Sequence, residues 1–117
     1  MVRVLIFSRN WKFGAFLKAL LESRLDKDVE VEFVTSLNGL RNAMRILSPS
    51  LLVVNCESLT PEDTEWIESA TALVKVIAIC GWGDRVPKNV ELLKKPLTYG
   101  EIAEKIVENI REHLGNC

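Results

Sequence analysis

Three nearly unbroken apolar runs constrain this chain more than anything else in it. Val2–Phe7, Leu51–Val54 and Val74–Ile79 are strand-length, and each is too apolar to present a face to water. Strands that read this way are buried on both sides, as in a parallel sheet covered by helices. Between the runs lie helical stripes. After Asn10, a capping residue, Phe13, Phe16, Leu17, Leu20 and Leu21 recur at helical spacing. Ser36 caps a second helix with Leu37, Leu40, Met44 and Leu47 on one side, stopped by Ser48-Pro49. Thr60-Pro61-Glu62-Asp63 opens a third helix over about 61–70, with Pro at the first helical position and acids in the first turn.

The remaining elements are more polar. Val29–Val34 alternates with period two, and Val90–Lys94 carries Glu91 and Lys94, so both suit sheet edges. Thr98-x-x-Glu101 is a capping box, followed by Ile102, Ala103, Ile106, Val107, Ile110 and Leu114 in a clean stripe. Residues 81–89 contain two glycines and a proline and read as loop. Strands alternating with helices predict an α/β fold: a doubly wound, five-stranded parallel sheet of order 2-1-3-4-5 with helices on both faces. Its 117 residues support one domain, spanning 1–117. Ligands of such a fold sit beyond the carboxyl ends of the central strands. The residues to interrogate are therefore Ser8 to Trp11, Asn55 to Ser58, Cys80 to Asp84, and Lys95-Pro96.

Composition removes several classes of function. The formal net charge of −1 argues against a polyanion binder, so no nucleic acid is expected. No apolar run approaches the ~20 residues of a membrane span, and the first residues lack a secretory pattern. The expectation is a soluble, cytoplasmic chain. Three cysteines (Cys56, Cys80 and Cys117) with no CxxC pair signal neither a disulfide framework nor a zinc site.

Lys95-Pro96-Leu97 ahead of a capped helix resembles the Lys-Pro signature of receiver domains of two-component response regulators. The run Ser48-Pro49-Ser50-Leu51-Leu52-Val53-Val54-Asn55 is similar to the stretch that ends in their phosphoacceptor Asp. The resemblance covers nearly the whole chain in element order. It implies an acidic pair after the first strand and an Asp after the third, which hold Mg²⁺ and take a phosphoryl group. Here the matching positions are Ser8 and Arg9, then Asn55. No Asp or Glu occurs before Glu22, and none lies between Glu32 and Glu57, so a one-residue shift changes nothing. Magnesium needs hard oxygen ligands, and an acyl phosphate needs a carboxylate nucleophile. A cation ~4 Å from Mg²⁺ costs several kcal/mol at an effective dielectric near 20. Glu57, two residues past the strand end, is a poor substitute acceptor.

The switch residues implied by the resemblance have changed as well. The Ser/Thr position ending strand four is Cys80, and the aromatic position of strand five is Leu92. Only nine residues (81–89) separate strands four and five, about two helical turns short of a receiver's connection. The fourth helix is therefore expected to be shortened or absent. The residues Ser8, Arg9, Asn55, Cys80 and Lys95 form a degenerate phosphorylation pocket with no metal, no cofactor and no catalytic group. No Ser-His-Asp, Cys-His or paired-carboxylate arrangement can be drawn at this edge, so the chain is not expected to be an enzyme.

The expectation is a stand-alone receiver-like domain that takes no phosphoryl group and acts through protein–protein contact. The resemblance implies a histidine kinase or a transcription regulator as partner. Trp11, Trp82, Leu92 and Tyr99 are candidate partner-binding residues, since Trp anchors interfaces. The alternative for the two tryptophans is to plug the vacated pocket. A homodimer through strand five and the last helix is a further expectation. The rival reading is an anion or small-molecule sensor, binding phosphate or a nucleotide with Arg9 and Lys95, unless both heads lie in water. Cys56 and Cys80 end adjacent strands, as a redox pair or as two buried small hydrophobes suited to a reducing cytosol. Trp66 reads as core or rim, His113 as a cation at a helix C-terminus, and Cys117 as frayed.

Overall fold

Apolar runs and stripes assemble as their periods dictate. The computed structural model describes residues 2–115, and their side chains through Glu112. The expectations for His113, Leu114 and Cys117 concern side chains outside the described residues. In chain order the elements are β1 (Val2–Phe7), α1 (Trp11–Arg24), β2 (Val29–Val34), α2 (Leu37–Leu47), β3 (Leu51–Asn55), α3 (Pro61–Ala70), β4 (Lys75–Cys80), β5 (Glu91–Lys94) and α4 (Tyr99–Gly115). The five strands form one sheet of order β2-β1-β3-β4-β5, and every pairing is parallel.

Each helix starts where a side chain satisfies its free N–H groups. Asn10 Oδ1 accepts from the N–H groups of Lys12 and Phe13 at 3.1 and 3.3 Å. Ser36 Oγ accepts from Gly39 N–H at 3.0 Å. Thr60 and Asp63 close a reciprocal capping box at α3, and Thr98 and Glu101 close another at α4. The helix α2 ends on Ser48 in the left-handed region (φ 45°), one residue before Pro49.

Two apolar clusters lie on opposite faces of the sheet. One joins Val4, Ile6, Val53, Ile77 and Ile79 to α1 and α4, including Leu17, Leu21, Ile102 and Ile106. The other joins Leu5, Phe7, Leu52, Val54, Val76 and Ala78 to α2 and α3 through Leu37, Leu40 and Ile67. Trp66 is half-buried against this second cluster, as its place on α3 suggested. No helix forms between β4 and β5, as the short connection predicted. Leu92 of β5 pairs with Ala78 and remains 36% exposed.

Three details depart from the sequence reading. The strands β4 and β5 each begin one residue later than the apolar runs, at Lys75 and Glu91. Phe16 is not in the core; it is exposed and meets the Tyr99 ring at a centroid distance of 4.5 Å. Gly14, which interrupts the α1 stripe, lies where a β-carbon would come within 2.6 Å of Phe33 Cδ2. The helix therefore approaches β2 more closely than any side chain allows. Gly14→Ala gains ~1 kcal/mol of helix propensity but must displace a packed ring. We expect a net loss of ~1–2 kcal/mol in urea unfolding. A stabilised variant would show that the ring yields freely.

Candidate functional site

The site is built at the carboxyl edge of the sheet, where β1 and β3 end side by side. Ser8 follows β1 and donates its backbone N–H to Val34 O at 3.1 Å, which fixes the chain as it leaves the sheet. Asn55 is the last residue of β3. Both side chains are fully buried. Polar groups in such a place must find partners, and here they find each other. Asn55 Nδ2 donates to Ser8 Oγ at 3.1 Å. Ser8 Oγ donates to Asn10 O at 2.8 Å and accepts from Asn10 N–H at 3.1 Å. A hydroxyl has one proton and two lone pairs, and all three are engaged.

The amide of Asn55 is engaged on its other side as well. Its Oδ1 accepts from Glu57 N–H at 3.2 Å and from Lys95 Nζ at 3.1 Å. Two donors on one atom and a hydroxyl on the other fix the amide's orientation. Lys95 thus points into the pocket, and its ammonium lies 5.7 Å from the Phe13 ring centroid. A shallow hollow of about 230 Å³ opens beside it, lined by Asn10, Phe13, Glu57 and Tyr99 among others. Among the described residues, no three His, Cys, Asp or Glu side chains gather as a cation site would require.

Arg9 belongs to a different constellation. Its Nε and a terminal nitrogen each donate to a separate oxygen of Asp63 at 2.8 Å, a two-pronged ion pair. Asp63 is wholly buried, whereas about a third of the Arg9 side chain reaches water. Burial pushes the Asp63 carboxyl up. The Arg9 hydrogen bond, the Thr60 backbone N–H and the Arg9 charge outweigh it, so the group lies below the usual carboxylate range. The Asp63 bond raises Arg9 above its ordinary value against a smaller cost of burial. The sequence reading foresaw no acid near Arg9. Asp63 lies 54 residues away in the chain. Its one local signal is the Thr60-x-x-Asp63 spacing, which specifies a helix cap and no partner for Arg9.

The structure therefore separates the five pocket residues. Ser8, Asn55 and Lys95 form one closed network. Arg9 is tied to α3, so the two cations do not converge on a shared anion cradle. Cys80 is joined to Cys56 as a disulfide, with Cα atoms 4.8 Å apart. Of the two readings of these cysteines, the structure has the bonded pair and not two separate buried thiols; the missing disulfide signal in the cysteine spacing is corrected by the meeting of the two strand ends. Of the partner candidates, Trp82 stands fully in solvent and Trp11 is 62% exposed. Neither plugs the pocket. Tyr99 is half-exposed and packs on Phe13 and Phe16.

No family model and no curated protein matches the chain. Solved structures do match it. A CheY-like response regulator receiver domain protein from Methanospirillum hungatei JF-1 superposes with a TM-score of 0.77 at 20% identity, over 100% of this chain and 99% of that one. A response regulator receiver domain protein from Clostridium thermocellum gives 0.68 at 20% identity, over 100% of both chains. The response regulator domain of Thermotoga maritima CheB gives 0.70 at 20% identity, over 96% of this chain and 95% of that one. With its sheet order and its helices on both faces, and with a loop between β4 and β5, the chain has the fold of response-regulator receiver domains.

Proposed function

We propose that this chain is a receiver-like signalling domain that takes no phosphoryl group and works by contact with a protein partner. The observation that carries the reading is the closed amide network at Asn55. A phosphoryl transfer at this place needs a carboxylate oxygen free to attack and a divalent cation to shield the charge. Asn55 supplies a neutral amide whose acceptor oxygen already serves Lys95 Nζ and Glu57 N–H. Ser8, matching part of the acidic pair, has a saturated hydroxyl. Arg9, matching the other part, is a cation held by its own counter-ion.

The surface around this edge supports contact as the mode of action. Trp82 and Trp11 are exposed and sit on or beside loops that a partner can reach. Large exposed aromatic side chains supply most of the energy in many interfaces. The edge strand β5, with Leu92 uncovered, is joined to β4 by the loop that carries Trp82.

Incubation with acetyl phosphate and Mg²⁺, followed by intact mass spectrometry, tests the first half. We expect no phosphoryl adduct. A hydroxylamine-sensitive adduct mapped to Glu57, or any adduct on another pocket residue, would overturn the reading. Co-purification of one partner from the native cell tests the second half. The partner should be lost with Trp82→Ala while the fold keeps its melting temperature. Retention of the partner by Trp82→Ala, Trp11→Ala and the double variant would remove this surface from the proposal.

A further inference from the structure

We propose that Cys56 and Cys80 form a reversible thiol–disulfide site that serves as the input of this domain where a phosphoryl group would otherwise act. The reducing co-substrate is a dithiol and the oxidant is a small disulfide. The input role rests on the receiver-like reading above; the chemistry of the pair does not.

Three observations carry the inference. The first is place. Cys56 lies one residue beyond the Asn55–Ile79 pairing of β3 with β4, and its N–H donates to Ile79 O at 3.0 Å. Cys80 ends β4, and its carbonyl accepts from Lys95 N–H at 2.9 Å. The bond thus ties together the strand ends that position Asn55 and Lys95. The second is access. Both cysteines are buried, but each is followed by surface chain, Glu57-Ser58 on one side and Gly81-Trp82 on the other. The loop that follows Cys80 is held by Gly81 N–H donating to Asp84 Oδ2 at 2.7 Å. The third is that the fold does not need a staple. Two apolar clusters already occupy both faces of the sheet, and a chain of this length folds without a crosslink. The reduced and oxidised forms are therefore both folded, as a switch requires.

The exchange balances without further reactants. One thiolate of the dithiol attacks a sulfur of the pair and displaces the other as a thiolate, giving a mixed disulfide. The second thiol of the reductant then displaces the first cysteine and leaves as an internal disulfide. Two electrons and two protons have passed to Cys56 and Cys80. A small disulfide such as glutathione disulfide reverses both steps. The oxidised bond encloses residues 57–79, a segment that contains Asp63 and hence the anchor of Arg9. Opening it removes the covalent tie between the ends of β3 and β4 beside Asn55 and loosens the loop that carries Trp82.

The test uses the whole chain with Cys117→Ser, so that only this pair reports. After treatment with glutathione disulfide, denaturing alkylation should label neither cysteine; after dithiothreitol it should label both. Amide exchange over 56–60 and 80–86 should quicken at least about tenfold on reduction while α1 and α4 keep their protection. Glutathione disulfide should restore the slow pattern. Cys56→Ser/Cys80→Ser should match the reduced protein and ignore both reagents. Labelling of both cysteines after oxidation, equal exchange in the two states, or loss of protection throughout the chain on reduction would each overturn the proposal. The phosphodonor experiment reads a different group, so a phosphoryl adduct would cancel the input role while leaving these thiol readouts intact.

Discussion

Asp63→Ala should lower the stability of the fold by about 2–4 kcal/mol at neutral pH, measured by urea unfolding. The variant loses the acceptor that closes the α3 capping box and leaves the Arg9 guanidinium without its two bonds. The partial exposure of Arg9 moderates the cost, because a stranded guanidinium can turn to water. Arg9→Ala should cost a similar amount for the opposite reason, since it strands a buried carboxylate on the Thr60 N–H alone. The pH dependence gives a sharper readout. The Asp63 carboxyl is held below its ordinary range by Arg9 and the Thr60 backbone N–H, against burial. A group lowered in the folded state stabilises above its unfolded value, about 3.9, and that contribution is lost as pH falls through the folded one. The gap between the wild type and Asp63→Asn should therefore be full at pH 7 and narrow below about pH 4. A gap that stays constant to pH 3 would mean that the ion pair contributes nothing.

Phe7→Ala should cost about 3–5 kcal/mol, out of a total near 5–15 for a domain of this kind. Phe7 is the last residue of β1 and one of the largest fully buried side chains, in the cluster that includes Leu37, Leu40, Val54 and Leu59. Its removal leaves a cavity directly before Ser8, and Arg9 reaches back to within 6.0 Å of its ring centroid. The melting temperature should fall by about 10–20 °C. Ile46→Ala removes a comparable apolar side chain that is 70% exposed and should shift stability by no more than about 0.5 kcal/mol. Equal effects at the two positions would contradict the placement of the core.

The layered fold was legible because its signals are local and repeated. Val2–Phe7 and Leu51–Val54 announce central strands by their composition, and Thr98-x-x-Glu101 announces α4 by its spacing. The short connection after β4 announced the missing helix only by comparison with the longer one that the resemblance to receivers implies. The candidate site was legible as a set of positions but not as a set of contacts. Arg9 and Asp63 are far apart in sequence, and nothing near either residue specifies the other. Likewise, parallel pairing brings Cys56 beside Cys80 only once the register of β3 on β4 is known. Phe16 fits the helical stripe of α1 by its spacing, yet its direction was decided by Tyr99 on another element.

The Arg9–Asp63 pair also makes each of its members hard to replace alone. Replacing Arg9 with an acid would set two carboxylates face to face, one of them wholly enclosed and with no cation between them. Changing Asp63 first would strip the α3 cap before any benefit accrued. Any stepwise change that would place an acidic cluster at this edge therefore crosses a less stable intermediate in either order.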